Sequence, residues 1–386
     1  MCGVLRHGWE FRRLLTNCAL QRPHRYFVRV QEALERPAPT PVPPPAKQRD
    51  PWFDNAKMAL IVLVVLGHAW TLLPSQDRLH SWTYDFLYSW HVPAFVIVTG
   101  YLSKSFEYTR PRLLSLVTTV ALPYVIFEGL YAWFRHEVGG VDFERLWANP
   151  HWPMWYLAAL FFWRLATPVL KRTPGKVVVA VAISLVAGIY ANDILDSARI
   201  LGLLPFFVLG LKMHEGHWNL LRARRSRWYG FAVLLGLFAL TRFSGDWFVT
   251  EWFYYRTVYD ELDPDVLRAI TIRMGLLITG VVGAFAFFAV VPRTKTWFSA
   301  LGSATLVVYL FHGFFVLGAE FGGFPAWAAD HMPLAWVVTT VAAPVVAVFL
   351  AWKPVSSRLN VLVDPVGAIT RARRSRKRPG PGPSSG

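Results

Sequence analysis

Residues 57–68 read Lys57-Met58-Ala59-Leu60-Ile61-Val62-Leu63-Val64-Val65-Leu66-Gly67-His68, an apolar run with a charge at one end and an imidazole at the other. At about 1.5 Å of rise per residue the two polar side chains stand ~16 Å apart along a helix and ~20° from a common face. Ionisable groups are costly in hydrocarbon, so a membrane helix that keeps them invites a functional reading. A snorkelling lysine and a hydrogen-bonded structural histidine are the plainer alternative. The run is too apolar for a surface helix, and it sets the reading of the rest of the chain.

Outward from this segment the same character recurs. Hydrophobic residues make up 54% of the 386 residues, and 18 Trp and 28 Phe suit packed spans and membrane interfaces. Apolar segments fall near 57–74, 84–102, 113–134, 154–170, 177–191, 199–213, 228–241, 267–291, 297–318 and 334–352. This pattern predicts an all-α polytopic membrane helical bundle of about ten transmembrane helices. With ten spans, the two tails and the even-numbered loops hold 30 Lys and Arg against 7 in the odd-numbered loops. The positive-inside rule then places both termini in the cytoplasm, and the expected location is the plasma membrane.

The chain divides into a basic, Pro-rich tail over 1–49, a membrane domain over 50–352 and a basic tail over 353–386, expected to be disordered. The two tails carry +6 and +7 of the net +16. Their expected partner is the anionic face of the lipid bilayer rather than nucleic acid. Cys2 and Cys18 offer no disulfide framework or metal-binding spacing, and the first 49 residues hold no apolar signal-peptide core. Oligomeric state is left open.

Under this topology, His68, His91, His312 and Glu128 fall in the outer half of the membrane, with His68 about six residues below the outer end of its span. His151 lies at the outer rim. Imidazole is the side chain best suited to proton transfer near neutral pH. At the inner rim Lys104, Arg110 and Arg112 cluster, a pattern that anchors to lipid headgroups or recognises phosphate. Arg164 and Arg273 lie within spans and need partners, for which Glu128 is the unassigned acid. The external loop 242–266 mixes Trp247, Trp252, Tyr254, Tyr255 and Tyr259 with six acids, a composition suited to sugar rings and equally to an interfacial aromatic belt.

Five motifs in order resemble the membrane acyltransferase-3 family, in particular its fucose 4-O-acetylase-like branch. They are Asp54-Asn55-Ala56-Lys57 with Gly67-His68, Trp90-His91-Val92-Pro93 through Thr99-Gly100-Tyr101, and His151-Trp152-Pro153-Met154-Trp155 with Trp163-Arg164. Pro205-Phe206-Phe207 through Gly210 and Gly302-Ser303 through Phe311-His312 complete the set. The family's Arg-x-x-Arg element near the third helix stands here as Arg110-Pro111-Arg112. The resemblance implies transfer of an acyl group, most often acetyl, from acyl-CoA (acetyl-CoA) to a hydroxyl of a carbohydrate or glycosylated acceptor, with no bound cofactor or metal.

On that basis His68 is the expected general base, with Lys57 and His91 beside it in the catalytic set. Lys104, Arg110 and Arg112 are the expected acyl-CoA ligands. Asp54, Glu128, His151, Trp155, Arg164 and His312 are expected on the supporting or acceptor side. No Gly-x-Ser-x-Gly element of a hydrolase is present. A polytopic transporter using the same His, Lys and Arg residues as a proton or anion path is the competing reading.

Overall fold

The computed structural model describes residues 50–376 apart from 143–145, 191–193, 248 and 264. Expectations for the 1–49 tail and for 377–386 lie outside the described residues. Every regular element among the described residues is helical.

Helix α1, Pro51–Trp70, begins earlier than the apolar run suggests. Asp50 caps it, its carboxylate accepting from the Trp52 N–H at 3.0 Å, and Pro51 enters with its backbone already constrained to a helical φ. The helix also ends earlier, so His68 lies in its last turn rather than well inside the span. Trp52, Ala56 and Leu60 face one buried apolar cluster, while Met58, Ile61, Val65 and Ala69 face a second. Those spacings are stripes of one helix, and α1 is the wall shared by two cores.

The second expected span is broken into α2, Arg78–Tyr88, and α3, His91–Ser103. Pro93 has no N–H to offer the Ser89 carbonyl, which releases the helix there. The Ser89 hydroxyl folds back onto the Phe86 carbonyl at 2.7 Å. In the third segment α4, Arg110–Leu116, runs into α5, Leu122–Gly139, through a π turn at Val117–Ala121. The wider turn accommodates the missing N–H of Pro123.

Helices α6 (Trp155–Arg172) and α7 (Lys176–Tyr190) follow. The sixth segment bends by 53° between Ile194–Gly202, which contains α8 (Ser197–Gly202), and α9 (Leu204–Lys212). Then come α10 (Glu215–Leu221), α11 (Arg224–Leu240), α12 (Tyr259–Leu262) and α13 (Val266–Val290). A 3-10 turn at Trp297–Ser303 meets α14 (Thr305–Phe321) at 86°, and α15 (Phe324–Asp330) leads into α16 (Leu334–Ala351).

Among the described residues five helices are long and apolar enough to cross a membrane, or seven if each bent pair is one span. The protein is an all-α polytopic membrane protein. All ten apolar segments are helical. However, α6 carries Arg164, Lys171 and Arg172, and α7 has 15 residues.

The tail after residue 352 departs from expectation. Residues 353–376 are not irregular but form α17, Lys353–Val363, and α18, Pro365–Arg376. Val363 is buried and Leu359 packs on the same apolar cluster. Asp364 accepts from the Gly367 N–H at 2.9 Å and pairs with Arg371 at 3.2 Å. Apolar contact thus holds a segment that its charge alone would leave unfolded.

Helices α3 and α9 approach backbone to backbone at Gly100 and Gly210. A Cβ at Gly100 would overlap the Phe207 carbonyl, and one at Gly210 the Ile97 carbonyl. Small residues permit such close contact between membrane helices. Gly210→Val therefore costs about 1–3 kcal/mol by overpacking. It should lower the unfolding temperature of the purified protein in nanodiscs. An unchanged transition would show that the two helices separate freely.

Candidate active site

Side chains from separate elements meet at the C-terminal end of α1. His68 Nδ1 lies 2.7 Å from His312 Nε2 on α14, and His312 Nδ1 lies 3.1 Å from the Val308 carbonyl oxygen. A carbonyl only accepts, so in the neutral pair His312 Nδ1 carries hydrogen and its Nε2 is an acceptor. His68 Nδ1–H must then be the donor between the rings. The lone pair of the dyad is left on His68 Nε2.

His91 obeys the same rule. Its Nδ1 is 2.7 Å from the Leu87 carbonyl, one turn back across the break between α2 and α3. Its Nε2 therefore also carries a lone pair. His68 and His91 line a single cavity of about 40 Å³ together with Phe95, Trp155, Tyr156 and Tyr309. That volume admits a few water molecules or a hydroxyl group, not a sugar ring.

The segment His151-Trp152-Pro153 covers the dyad. The Trp152 ring lies 4.3 Å from the His68 ring, centre to centre. Glu128 on α5 is fully buried and accepts from the His151 backbone N–H at 2.9 Å and from His151 Nδ1 at 2.6 Å. The Tyr309 hydroxyl donates to the Pro153 carbonyl. One end of the cover is thus held by a carboxylate and the other by a phenol.

This arrangement overturns the expected pairing of Glu128 with Arg164 or Arg273. Arg273, buried on α13, sits instead among Tyr255, Tyr259 and Trp252, with ring centres 4.6, 5.6 and 5.9 Å from its guanidinium carbon. Arg164 has no carboxylate within ion-pair distance among the described residues. The loop over 242–266 is consumed in the same way: three of its aromatics close on Arg273, and Trp247 is exposed. Tyr254 alone reaches toward the site, donating to the Tyr84 hydroxyl at 3.0 Å. Burial pushes its phenol above the ordinary value, which keeps that proton in place.

The residues expected at the inner rim do not join the dyad. Lys57 Nζ pairs with Asp54 at 2.7 Å near the opposite end of α1. Asn55, fully buried, donates to the Pro292 and Thr294 carbonyls and accepts from Thr296 and Ser299, at 2.5–3.0 Å. Its role in the first motif is to clamp α1 to the segment before α14. Lys104 Nζ donates to the Met213 carbonyl at 2.6 Å, while Arg110 and Arg112 are exposed at the start of α4.

Sequence reasoning missed three groups, one at the start of α1 and two near the site. Arg222 pairs with Asp50 at 2.5 Å and lies 4.4 Å over the Trp52 ring. Tyr88 packs edge-on against His91 at 4.7 Å. Arg199 lies 4.8 Å over the Trp155 ring. A usable signal existed for the last: a single cation three residues after Asp196, the spacing of a helical ion pair.

Among curated proteins, a stretch of 137 residues is 28% identical to nodulation protein NolL of Sinorhizobium fredii, covering 30% of this chain and 36% of that protein. The match thus spans little more than a third of the relative's length. No solved structure matches the chain. A family model described as an acyltransferase domain matches residues 50–352, a range that takes in every residue of the site above, and the chain belongs to the acyltransferase-3 family.

Proposed function

We propose that this protein is a plasma-membrane O-acyltransferase that moves an acyl group, most readily acetyl, from acyl-CoA to a hydroxyl of a carbohydrate or glycosylated acceptor. The observation that carries the proposal is the lone pair on His68 Nε2, fixed by the relay from Val308 through His312 and set in a cavity the size of a hydroxyl.

An alcohol is a poor nucleophile until a positioned base takes its proton. The acceptor O–H gives its proton to His68 Nε2 as its oxygen attacks the thioester carbonyl. A C–O bond forms, the C–S bond breaks, and the departing thiolate takes the same proton back as CoA thiol. His312 holds the ring orientation and shares the positive charge while His68 is protonated. His91, a second acceptor on the same wall, takes a hydrogen bond from a neighbouring hydroxyl of the sugar. The apolar wall and the Trp152 cover keep water from the thioester.

The donor's phosphates are assigned to the other end of α1. Lys57, Lys104 and the exposed Arg110 and Arg112 supply positive charge there, and the cytoplasm supplies CoA. The pantetheine arm would then span the ~16 Å between Lys57 and His68.

The decisive test is transfer itself. Purified protein in nanodiscs is given acetyl-CoA labelled in the acetyl group, and label is sought in surface glycans from cells lacking the gene. Label should appear as an alkali-labile ester on sugar. Glycans that gain no label and acetyl-CoA that remains intact would overturn the proposal. Acetyl-CoA binding should also weaken as salt rises, because charge attraction at the rim is screened.

A further inference from the structure

The guanidinium of Arg199 takes part in none of these steps. Its Nε donates to the Tyr254 carbonyl at 3.0 Å and its Nη1 pairs with Asp196 at 3.1 Å. Its flat face rests on Trp155. Among the described residues nothing accepts from Nη2. The side chain is 12% exposed, and Nη2 is not among the sealed polar atoms, so a guanidinium held on three sides presents a pair of N–H donors that a ligand can reach. An anionic acceptor group at these donors makes a charge-assisted hydrogen bond in place of solvent.

Position gives the ligand its identity. Trp155 is also a wall of the His68–His91 cavity. Tyr254, whose carbonyl holds Arg199, continues through its hydroxyl to Tyr84, which stacks on Tyr88 at 4.1 Å. Tyr88 in turn meets His91. Arg199 thereby adjoins an aromatic rim beside the cavity through Trp155 and Tyr254 and lies within electrostatic reach of His68 and Tyr88. The cavity takes only a hydroxyl, so the body of an acceptor rests on this rim. Nearby acids do not compete for Nη2: both oxygens of Asp85 are bonded, to Ser244 at 2.6 Å and Thr250 at 2.8 Å. Glu251 lies toward the Tyr254 phenol.

We infer that Arg199 binds an anionic group on the acceptor, a carboxylate or a phosphate carried by the sugar, and so selects acidic over neutral carbohydrate. Guanidinium geometry suits either group. This inference rests on the acyl-transfer reading for the meaning of "acceptor", but its test does not require turnover.

The test is equilibrium binding of three labelled sugars to the full-length protein in nanodiscs: methyl β-glucuronide, methyl β-glucoside 6-phosphate and neutral methyl β-glucoside. At least one acidic sugar should bind about tenfold more tightly than the neutral one, the worth of one charge-assisted hydrogen bond. Which of the two gains tells carboxylate from phosphate.

Arg199→Gln should erase the difference by weakening acidic binding far more than neutral binding, and Arg199→Lys should keep part of it. Asp196→Asn should tighten acidic binding by freeing Nη1. Asp196 has a φ of 56°, a conformation that asparagine tolerates, so this variant keeps the local backbone. Equal affinities for all three sugars, no binding of any, or an equal loss of neutral and acidic binding in Arg199→Gln would overturn the inference. A protein that discriminates charge but transfers no acetyl overturns the transfer reading alone. Transfer to sugars bound with equal affinity overturns the anion site alone.

Discussion

His68→Gln removes acyl transfer, with kcat falling by about 10²- to 10⁴-fold, the usual contribution of a positioned general base. Acetyl-CoA binding and the amount of folded protein should stay at wild-type values. The glutamine amide replaces the His68 Nδ1–H as a donor to His312 Nε2, so the polar partner in the membrane is not left bare. What it lacks is a lone pair basic enough to take an alcohol proton. His312→Phe is the informative companion, because it leaves His68 in place but frees its ring to adopt either tautomer. Its loss should fall on kcat with little change in KM for acetyl-CoA. Wild-type turnover by His68→Gln would eliminate the base assignment. A loss confined to KM would recast His68 as a binding residue.

Glu128→Leu has the second largest expected effect, and it acts on structure first. The carboxylate is fully buried and holds both the backbone N–H and the ring of His151. Removing one partner of a buried ionic or hydrogen-bonded pair costs about 3–5 kcal/mol, because the other partner is stranded. The stranded group here begins the cover over His68, so the unfolding temperature and kcat should fall together. His151→Leu in the Glu128→Leu background should recover part of the stability, since the ring no longer lacks its acceptor while the backbone N–H of residue 151 still does, but not the activity. Full stability in Glu128→Leu would show that Tyr309 and packing hold the cover without the carboxylate.

The apolar runs marked ten segments that are helical, because hydrocarbon forces every backbone group to bond within its own helix, and among the described residues five to seven of the helices are long and apolar enough to span. The breaks were harder to see. Pro93 and Pro123 lie at comparable places in apolar runs, yet one severs a helix at Ser89-Trp90 and the other is absorbed in a π turn. A missing N–H is written in the sequence; which neighbour rescues the orphaned carbonyl is not. The start of α1 depended likewise on the Asp50 cap, a local contact outside the apolar run.

By itself the sequence determined an all-helical membrane bundle and a set of residues matching the acyltransferase-3 pattern, since both depend on order and spacing along one chain. It marked His68, His91 and His312 as polar residues in apolar company. Only the tertiary structure decided that His68 bonds to His312 across 244 positions of sequence, that Glu128 belongs to His151, and that Trp252, Tyr255 and Tyr259 close on Arg273. Burial cost tells a sequence reader that an ionisable group in a span needs a partner. The identity of the partner is set by how helices pack, because many acids and rings could satisfy the same charge and only those brought within about 3 Å do so.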